Sequence, residues 1–363
     1  MTDIVIWGAT GYTGRLISKY FATNVSKKFP QLKWSLAGRS REKLQGICEH
    51  LDSTYGVKPD VLVADPRSQA ELDGLADSSK VVIAAAGPFT TIGTGLVDAC
   101  VRKKCDYVDI TGEVPWVKSI SDTYHHEAQQ QGVLLTPMCG FDSVPSDLTT
   151  LAAVRKLWQV HQEHATKVRS YITIQGTTSG GTIKTGLMLK QNFADEYNDP
   201  HLMSRRSGSG VRVQVHSWEA DPSEGEWDTW AIPQDGIWTA PFTMGKINTR
   251  VVRRSNLLFA EGGDGPSGKG YDGAVVGETP PTESHRFQYS EREVARTEAA
   301  AKKIAKNELI PPETVARLVE RKRLPQPGQG PSQDQREAAW FQYTTIAEGA
   351  NGSRVCCKMV RLS

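Results

Sequence analysis

The sequence predicts an α/β protein, in which a doubly wound parallel sheet is followed by a second α+β domain built on a mixed, antiparallel-rich sheet. Strand-like and helix-like segments alternate between residues 3 and 136, as they do in parallel sheets. A glycine-rich turn joins the first strand-like segment to the first helix-like segment. Beyond residue 145, apolar and polar residues alternate, which is typical of strands with one solvated face. We therefore expect domains at residues 1–145 and 146–324, and a C-terminal segment, residues 325–363, that returns towards the first domain.

The first domain is predicted from the spacing of its apolar residues. The run from Val81 to Ala86 is apolar throughout, as expected of a strand that is covered on both faces. The predicted strands are residues 3–8, 33–37, 59–64, 81–86, 106–109 and 133–136. The predicted helices are residues 15–21, 40–51, 68–76, 92–103 and 119–130.

The second domain has a different pattern, with two alternating segments that predict strands at residues 167–175 and 211–218. Helices are predicted at residues 181–197 and 291–306, and Pro312 is expected to open another at its N-terminal turn. Glycine-rich stretches predict loops at residues 205–210 and 261–273, and a linker at residues 325–331.

Composition excludes several classes of protein. The net charge of +2 over 363 residues gives no electrostatic footprint for nucleic acid. The six cysteines have no C-x-x-C spacing, so we expect no structural metal. No apolar run approaches the roughly 18 residues of a membrane span, and no secretory signal precedes the first strand. We expect a cytoplasmic protein without a transmembrane segment; peripheral association with a lipid surface stays open.

The glycine-rich turn has the spacing G-x-x-G-x-x-G and lies between a predicted strand and a predicted helix. Glycines permit a tight turn and a close approach of the backbone to a pyrophosphate, which then faces the helix N-terminus. A chance glycine-rich turn is the alternative. The residues expected to bind a dinucleotide here are Gly8, Ala9, Thr10, Gly11, Tyr12, Thr13 and Gly14.

A basic residue follows the second predicted strand, where NAD-dependent enzymes usually carry an acidic one. Arg39, with its neighbour Ser40, suits the 2′-phosphate of NADP, so NADPH is the expected cofactor. Lys43 could add a second cation, although an ordinary solvated lysine explains it equally well. Asp65 could contact the adenine edge, and a plain helix cap is the other interpretation.

A turn of small residues follows the fourth predicted strand at the carboxyl edge of the sheet, where ligands bind in this class of fold. It is expected to leave room for the ribose beside the nicotinamide, with a purely structural turn as the alternative. Its residues are Ala86, Gly87, Pro88 and Phe89.

No catalytic residue is identified outright. Glu113, Asp142 and Ser143 are candidates for orienting substrate or moving protons, but helix caps and turns explain them nearly as well. No Tyr-x-x-x-Lys pair follows the fourth or fifth strand, so the acid of short-chain dehydrogenases is missing. Residues 179–182 could place a helix N-terminus against a substrate anion or a cofactor phosphate, with a helix cap as the alternative.

Taken together, five motifs resemble the saccharopine dehydrogenase-like oxidoreductases, especially the branch that includes the trans-acting enoyl reductases. The motifs are residues 8–14, 37–40, 86–89, 109–113 and 140–147. The resemblance implies a Rossmann domain, a second α+β domain, and NADPH-dependent reduction of a C=C or C=N bond. It also implies a small or carrier-bound acyl substrate and a polyketide synthase that lacks its own reductase as partner, and it leaves a homodimer open.

Three functions remain open on the sequence. The leading one is hydride transfer to a conjugated C=C bond of an enoyl thioester or a related polyketide or lipid intermediate. The second is imine reduction, for which Arg205, Arg206 and Arg212 could hold a dicarboxylate substrate, although a solvated loop also explains them. The third is a scaffold without catalysis that keeps the nucleotide-binding fold. Residues 355–363 depart from the pattern of the resembling family.

Overall fold

A computed structural model describes residues 2–199, 201–204, 229–230, 237–260, 287–308 and 310–361. These residues divide into two compact units. The first unit contains residues up to Gly140 together with Thr178–Leu189 and Arg321–Gly330, and the second contains the rest. This division differs from the expected boundaries: two short later segments join the first unit, and residues 331–361 belong to the second.

The first unit is built on a six-stranded sheet in the order β3-β2-β1-β4-β5-β6, and every neighbouring pair is parallel. This is the order of doubly wound, dinucleotide-binding sheets, so the predicted Rossmann architecture is confirmed. The strands are β1 (Thr2–Trp7), β2 (Trp34–Gly38), β3 (Asp60–Val63), β4 (Ser79–Ala84), β5 (Asp106–Asp109) and β6 (Leu135–Thr136).

Helices connect these strands. Ser40 and Ser68 accept N-terminal backbone hydrogen bonds and so fix where α3 and α4 begin. Helix α1 continues through a π-helical turn, Phe21–Val25, into α2. The helices are α1 (Tyr12–Tyr20), α2 (Ser26–Lys28), α3 (Arg41–Tyr55), α4 (Gln69–Asp77), α5 (Phe89–Ile92), α6 (Thr94–Lys103) and α7 (Val114–Gln131).

The core of the first unit lies around its central strand. Val5 and Ile6 on β1 are fully buried, because β2 and β4 flank the strand and helices cover both faces. Ile6 packs in one cluster with Leu36 of β2 and Leu44 of α3. The carboxyl ends of the central strands are thereby held rigidly, and the predicted cofactor-binding turns follow from them.

The second unit is built on a mixed sheet in the order β12-β11-β7-β10-β9-β8. Strands β7 and β10 are parallel, and the other pairs are antiparallel, which confirms the predicted sheet type. The strands are β7 (Ala165–Gln175), β8 (Thr229–Trp230), β9 (Ile237–Pro241), β10 (Gln288–Ala295), β11 (Trp340–Gly349) and β12 (Arg354–Arg361).

Helix α8 covers one face of this mixed sheet. Its residues Ala153 and Leu157 share a buried cluster with Val168 of β7 and Ala347 of β11. A 3₁₀ turn lies at Leu202–Ser204. The later helices are α8 (Val144–His161), α9 (Gly180–Asn192), which begins in the first unit, α10 (Ala194–Asn198), α11 (Gly245–Ala260), α12 (Glu298–Glu308), α13 (Pro312–Glu320) and α14 (Gln333–Glu337).

The structure corrects two predicted helices. The prediction of a helix over 291–306 is wrong in its first part, because residues 288–295 form β10, which pairs with β7 and β9 on its two sides. Pairing on both sides makes residues 291–295 a strand, while the alanine-rich stretch that follows forms α12 as predicted. The predicted helix at 181–197 is two helices that are separated at Phe193.

Several sequence-based expectations fall outside the described residues. These are the strand at 211–218, the loops at 205–210 and 261–273, and the cations Arg205, Arg206 and Arg212. Within the described ranges, no helix combines the length and the apolar character that crossing a bilayer requires. In the same ranges, no three potential metal-ligating side chains group closely enough to hold an ion.

Candidate functional site

The glycine-rich turn after β1 requires glycine on two geometric grounds. Gly8 has a φ of +86°, in the left-handed region. A Cβ atom on Gly8 would lie 2.7 Å from the Cβ of Ala86, so the turn after β1 abuts the turn after β4. The structure thus brings together two segments that the sequence predicted separately as parts of one cofactor site.

Gly14 lets α1 approach the end of β1. A Cβ atom here would overlap the carbonyl oxygen of Gly8 and would lie 2.7 Å from the Cα of Ala9. The N–H groups of a first helical turn have no acceptor within the helix, and the helix dipole makes that end positive. The first turn of α1 could therefore receive an anionic group, and only a chain without a Cβ at position 14 can bring the turn this close to β1.

Backbone hydrogen bonds hold the rest of this turn in place. The N–H groups of Gly8 and Ala9 donate to the carbonyl oxygen of Ala37, at 2.9 and 3.2 Å. The N–H of Gly11 donates to the carbonyl oxygen of Gly8 at 2.9 Å. Thr10 lies beside Gly38: a Cβ atom on Gly38 would be 3.9 Å from the Oγ1 of Thr10. The turn is consequently hydrogen-bonded to the end of β2, next to the predicted 2′-phosphate residues.

The predicted 2′-phosphate residues lie directly after β2. The side chains of Arg39 and Lys43 are exposed, as an electrostatic contact with a bound anion requires. The hydroxyl of Ser40 accepts a hydrogen bond from the N–H of Lys43 at 3.3 Å and caps α3. Ser40 therefore has a structural role here, whereas the two cations face solvent.

Asp65 is held by a cation that the sequence analysis missed. Arg67 donates from Nε and from its terminal nitrogen to the two carboxylate oxygens of Asp65, at 3.0 and 2.8 Å. Hydrogen bonds from Arg67 lower the pKa of Asp65 to about 2, and the charge of Arg39 acts in the same direction. The structure thus groups Arg39, Asp65 and Arg67 after β2 and β3. The only signal for Arg67 in the sequence was its position two residues after Asp65.

Glu113 holds the turn that follows β4. Its carboxylate accepts hydrogen bonds from the N–H of Phe89 at 2.9 Å, from the N–H of Thr90 at 2.7 Å, and from the Thr90 hydroxyl. Thr185 approaches the same carboxylate at 3.5 Å. Glu113 is 1% exposed. These contacts assign Glu113 to positioning residues 86–89, which explains a buried acid at a place where the sequence analysis considered proton transfer.

Asp109 organises the ends of β5 and β6. Its carboxylate accepts from the hydroxyl of Tyr107 at 2.9 Å and from the N–H groups of Thr111 at 2.9 Å and Met138 at 2.8 Å. Burial is the largest influence and raises the pKa of Asp109 to about 6, against the effect of these donors. Asp109 therefore ties two loops at the carboxyl edge of the sheet to one buried group.

The start of α9 is capped by its own surroundings. The N–H of Gly180 donates to the carbonyl oxygen of Gln329 at 3.0 Å, and the N–H of Thr182 donates to Ser179 Oγ at 3.3 Å. These bonds support the helix-cap interpretation of residues 179–182. The segment 321–330 also reaches the glycine-rich turn, because a Cβ on Gly330 would lie 2.5 Å from the ring of Tyr12.

The other two candidate catalytic residues belong to the second unit. Ser143 is the N-terminal boundary residue of α8; its hydroxyl is buried and has no hydrogen-bond partner among the described residues. Asp142 precedes it, and burial raises the pKa of its carboxyl to about 6. An unpaired hydroxyl at this position is unusual, because buried hydroxyls are normally hydrogen-bonded.

A buried acid in the second unit was missed by the sequence analysis. Glu291 on β10 is fully buried and lies within 3.0 Å of Ser146 and Asn248. The segment was predicted to be helical, and Glu291 was not among the candidate site residues. The period-two order of Phe287, Tyr289 and Glu291 before the alanine-rich run was the available signal.

The chain is similar in sequence to several known proteins. Residues 4–135 match the family described as the saccharopine dehydrogenase NADP binding domain. A trans-acting enoyl reductase of Mycobacterium ulcerans is 30% identical over 96% of this chain and 82% of its own length. A trans-acting enoyl reductase of Mycobacterium tuberculosis is 30% identical over 97% of this chain and 82% of its own length.

Among solved structures, a saccharopine dehydrogenase from Saccharomyces cerevisiae is similar over 100% of this chain and 85% of its own, with 12% identity and a TM-score of 0.47. The family assignment rests on the sequence relatives and on the matched NADP-binding domain. The chain therefore belongs to the saccharopine dehydrogenase-like family that contains the trans-acting enoyl reductases, and it is an NADPH-dependent oxidoreductase.

Proposed function

We propose that this protein transfers hydride from NADPH to a conjugated C=C bond of an enoyl thioester. The observation that carries the proposal is the relationship, at 30% identity over 96% of the chain, to a protein named trans-acting enoyl reductase. The relationship extends through both units, so it covers the second unit as well as the nucleotide-binding one.

The first unit offers the groups that would hold the cofactor. The first turn of α1 and the glycines at positions 8 and 14 form the cradle for the pyrophosphate. Arg39 would supply positive charge for the 2′-phosphate, with Lys43 four residues later and Arg67 grouped with Arg39 around Asp65. The turn at residues 86–89, held by Glu113, would bound the nicotinamide half. NADPH, when bound, supplies the hydride.

Reduction of a C=C bond adds a hydride to one carbon and a proton to the other, and either solvent or an acid of the chain can supply that proton. The carboxylate of Glu113 is engaged by two backbone N–H groups, which suits positioning better than proton transfer. Among the predicted candidates, Asp142 has a carboxyl whose pKa burial raises to about 6, so a fraction of it stays protonated near neutral pH.

We further propose that the substrate is an acyl group carried by another protein, and that a polyketide synthase without its own reductase is the partner. The word trans-acting in the names of the relatives supports an activity that is supplied to a second protein. A homodimer of this chain is compatible with the same activity.

The test is NADPH consumption by purified protein with two panels of substrates, namely enoyl thioesters and cyclic imines. Oxidation of NADPH with the enoyl panel alone is the expected result. The same acyl group should be compared on coenzyme A and on an acyl carrier protein, and faster reduction on the carrier protein supports the proposed partner. Turnover with imines alone would replace the proposal by imine reduction, and no turnover with either panel would leave a nucleotide-binding scaffold.

A further inference from the structure

The loop between β3 and α4 holds the carboxylate of Asp65 in a fixed position. Its Oδ1 accepts a hydrogen bond from the N–H of Arg67 at 2.9 Å, a bond that aspartate often makes to the backbone two residues on. The carbonyl oxygen of Asp65 accepts from the N–H of Ser68 at 3.0 Å, and the N–H of Asp65 donates to Glu71 Oε2 at 2.8 Å. Since Ser68 also caps α4, the acid is fixed at the entrance to that helix.

The sheet places this acid beside Arg39. Strands β2 and β3 are parallel neighbours, with Gly38 opposite Val63, and the N–H of Ala64 donates to the carbonyl oxygen of Gly38 at 3.1 Å. Arg39 and Asp65 therefore leave the carboxyl edge of the sheet next to each other. Hydrogen bonds from Arg67 have the largest effect in lowering the pKa of Asp65 to about 2, and the charge of Arg39 contributes to the same shift.

A carboxylate at this place opposes the binding of a 2′-phosphate. A phosphate monoester carries close to two negative charges at neutral pH, so an unpaired Asp65 would repel it. The same carboxylate would also compete with the phosphate for the guanidinium of Arg39, because arginine pairs well with either group. The preference for NADPH thus requires that the charge of Asp65 be cancelled by a group other than Arg39.

Arg67 is placed to cancel it. Its Nε and one terminal nitrogen donate to the two carboxylate oxygens of Asp65 at 3.0 and 2.8 Å, which is the forked geometry that arginine forms with carboxylates. Both oxygens of Asp65 are thereby engaged. Among the residues that the structure describes, no acid forms an ion pair with Arg39, whose side chain is exposed. The positive charge of Arg39 consequently stays available to a ligand.

We propose that Arg67 is a positioning residue for cofactor selection, which pairs with Asp65 and so keeps Arg39 available to the 2′-phosphate of NADPH. Arg67 acts through Asp65 and not by contact with the phosphate. Without Arg67, Asp65 would pair with Arg39, and the preference for NADPH over NADH would shrink. The proposal goes beyond the proposed function, because it concerns the choice of cofactor and does not depend on which bond the enzyme reduces.

The test is a double-mutant cycle in which NADPH and NADH binding to the full chain are measured by fluorescence at low ionic strength. Arg67→Ala should weaken NADPH binding about tenfold and change NADH binding less than about twofold. Asp65→Asn alone should leave both affinities within about threefold of wild type, because the acid is already paired. The double variant Asp65→Asn/Arg67→Ala should regain NADPH affinity to within about threefold of wild type, since nothing then competes for Arg39.

A matched control lies at the other edge of the same sheet. Arg102 donates to both carboxylate oxygens of Asp73, at 2.9 and 2.6 Å. It lies in the last turn of α6, which leads into the amino end of β5, whereas Arg39 follows the carboxyl end of β2. Arg102→Ala removes the same kind of ion pair and should leave both affinities unchanged. Arg67→Gln, which keeps a long polar side chain without its charge, should reproduce the NADPH loss of Arg67→Ala, and urea denaturation checks that each variant is folded.

The recovery of NADPH binding in the double variant decides between two roles for Arg67. A double variant that binds NADPH as weakly as Arg67→Ala would overturn the proposal, because Arg67 would then contact the phosphate itself. Equal losses for NADPH and NADH, in Arg67→Ala or in Asp65→Asn, would also overturn it and would assign the pair to the adenine or to the fold of the loop. Wild-type NADPH affinity in Arg67→Ala would show that Asp65 does not compete for Arg39.

Discussion

Replacing Gly14 by alanine should damage the cofactor cradle through one added carbon atom. That carbon would overlap the carbonyl oxygen of Gly8 and lie 2.7 Å from the Cα of Ala9 and 2.8 Å from the carbonyl carbon of Gly8. Ordinary contacts begin at 3.4 Å, and all three neighbours are backbone atoms, so helix α1 has to move by about half an ångström or more. Overpacking of this kind costs roughly 1–3 kcal/mol.

A matched control is available on another helix. Gly46 lies within α3, and a Cβ added there would meet no atom within 4 Å. Gly46→Ala should therefore stabilise the protein by about 0.4–1 kcal/mol, because alanine lowers the entropy of the unfolded chain. The two substitutions are chemically identical and should have effects of opposite sign.

The assay is urea denaturation together with a fluorescence titration of NADPH. Gly14→Ala should lower the free energy of unfolding and weaken NADPH binding by about tenfold or more, since 1.4 kcal/mol corresponds to a factor of ten. Gly46→Ala should bind NADPH as the wild type does. If Gly14→Ala bound NADPH with unchanged affinity and kept its full stability, the assignment of this turn as the pyrophosphate cradle would be refuted.

Three further substitutions test the first unit. Arg39→Asp should weaken NADPH binding by roughly 10–100-fold and change NADH binding little, because it removes a charge-assisted contact to the 2′-phosphate; equal losses for both cofactors in a fluorescence titration would contradict this. Glu113→Gln should lower the free energy of unfolding by about 2 kcal/mol, because an amide replaces a carboxylate that accepts two backbone N–H groups; unchanged denaturation midpoints would show that the turn at residues 86–89 is held by other contacts. Asp109→Asn tests the raised pKa: folding favours the protonated acid, so wild-type stability should fall by about 2 kcal/mol as pH rises from 4 to 7, and the variant should lose that slope. Parallel stability curves for wild type and Asp109→Asn over this range would rule it out.

The sequence was sufficient for the first sheet and its cofactor turns. Three local signals were strong here. One strand is apolar throughout, the glycines of the turn have the spacing that close backbone packing requires, and a basic residue follows β2. These patterns depend on residues that are near one another in the chain, so they can be read without knowing how distant segments pack.

The boundaries of the two units differ from those that the sequence predicted. Residues 331–361 join the second sheet as β11 and β12, because β11 pairs along its whole length with β7. Pairing between strands that are about 170 residues apart leaves little local pattern. The first part of the predicted helix at 291–306 was wrong for the same reason, since β10 gains hydrogen bonds from partners on both sides.

By itself, the sequence predicted a nucleotide site at the end of β1 and a cofactor with a 2′-phosphate group, because those chemistries need particular residues at fixed local spacing. Only the tertiary structure decided what the acids do. Glu113 became the support of a turn, and Glu291 became a buried acid facing Ser146 and Asn248. The physical reason is that the protonation and role of a carboxyl group depend on the donors and the solvent around it, and distant segments of the chain supply both.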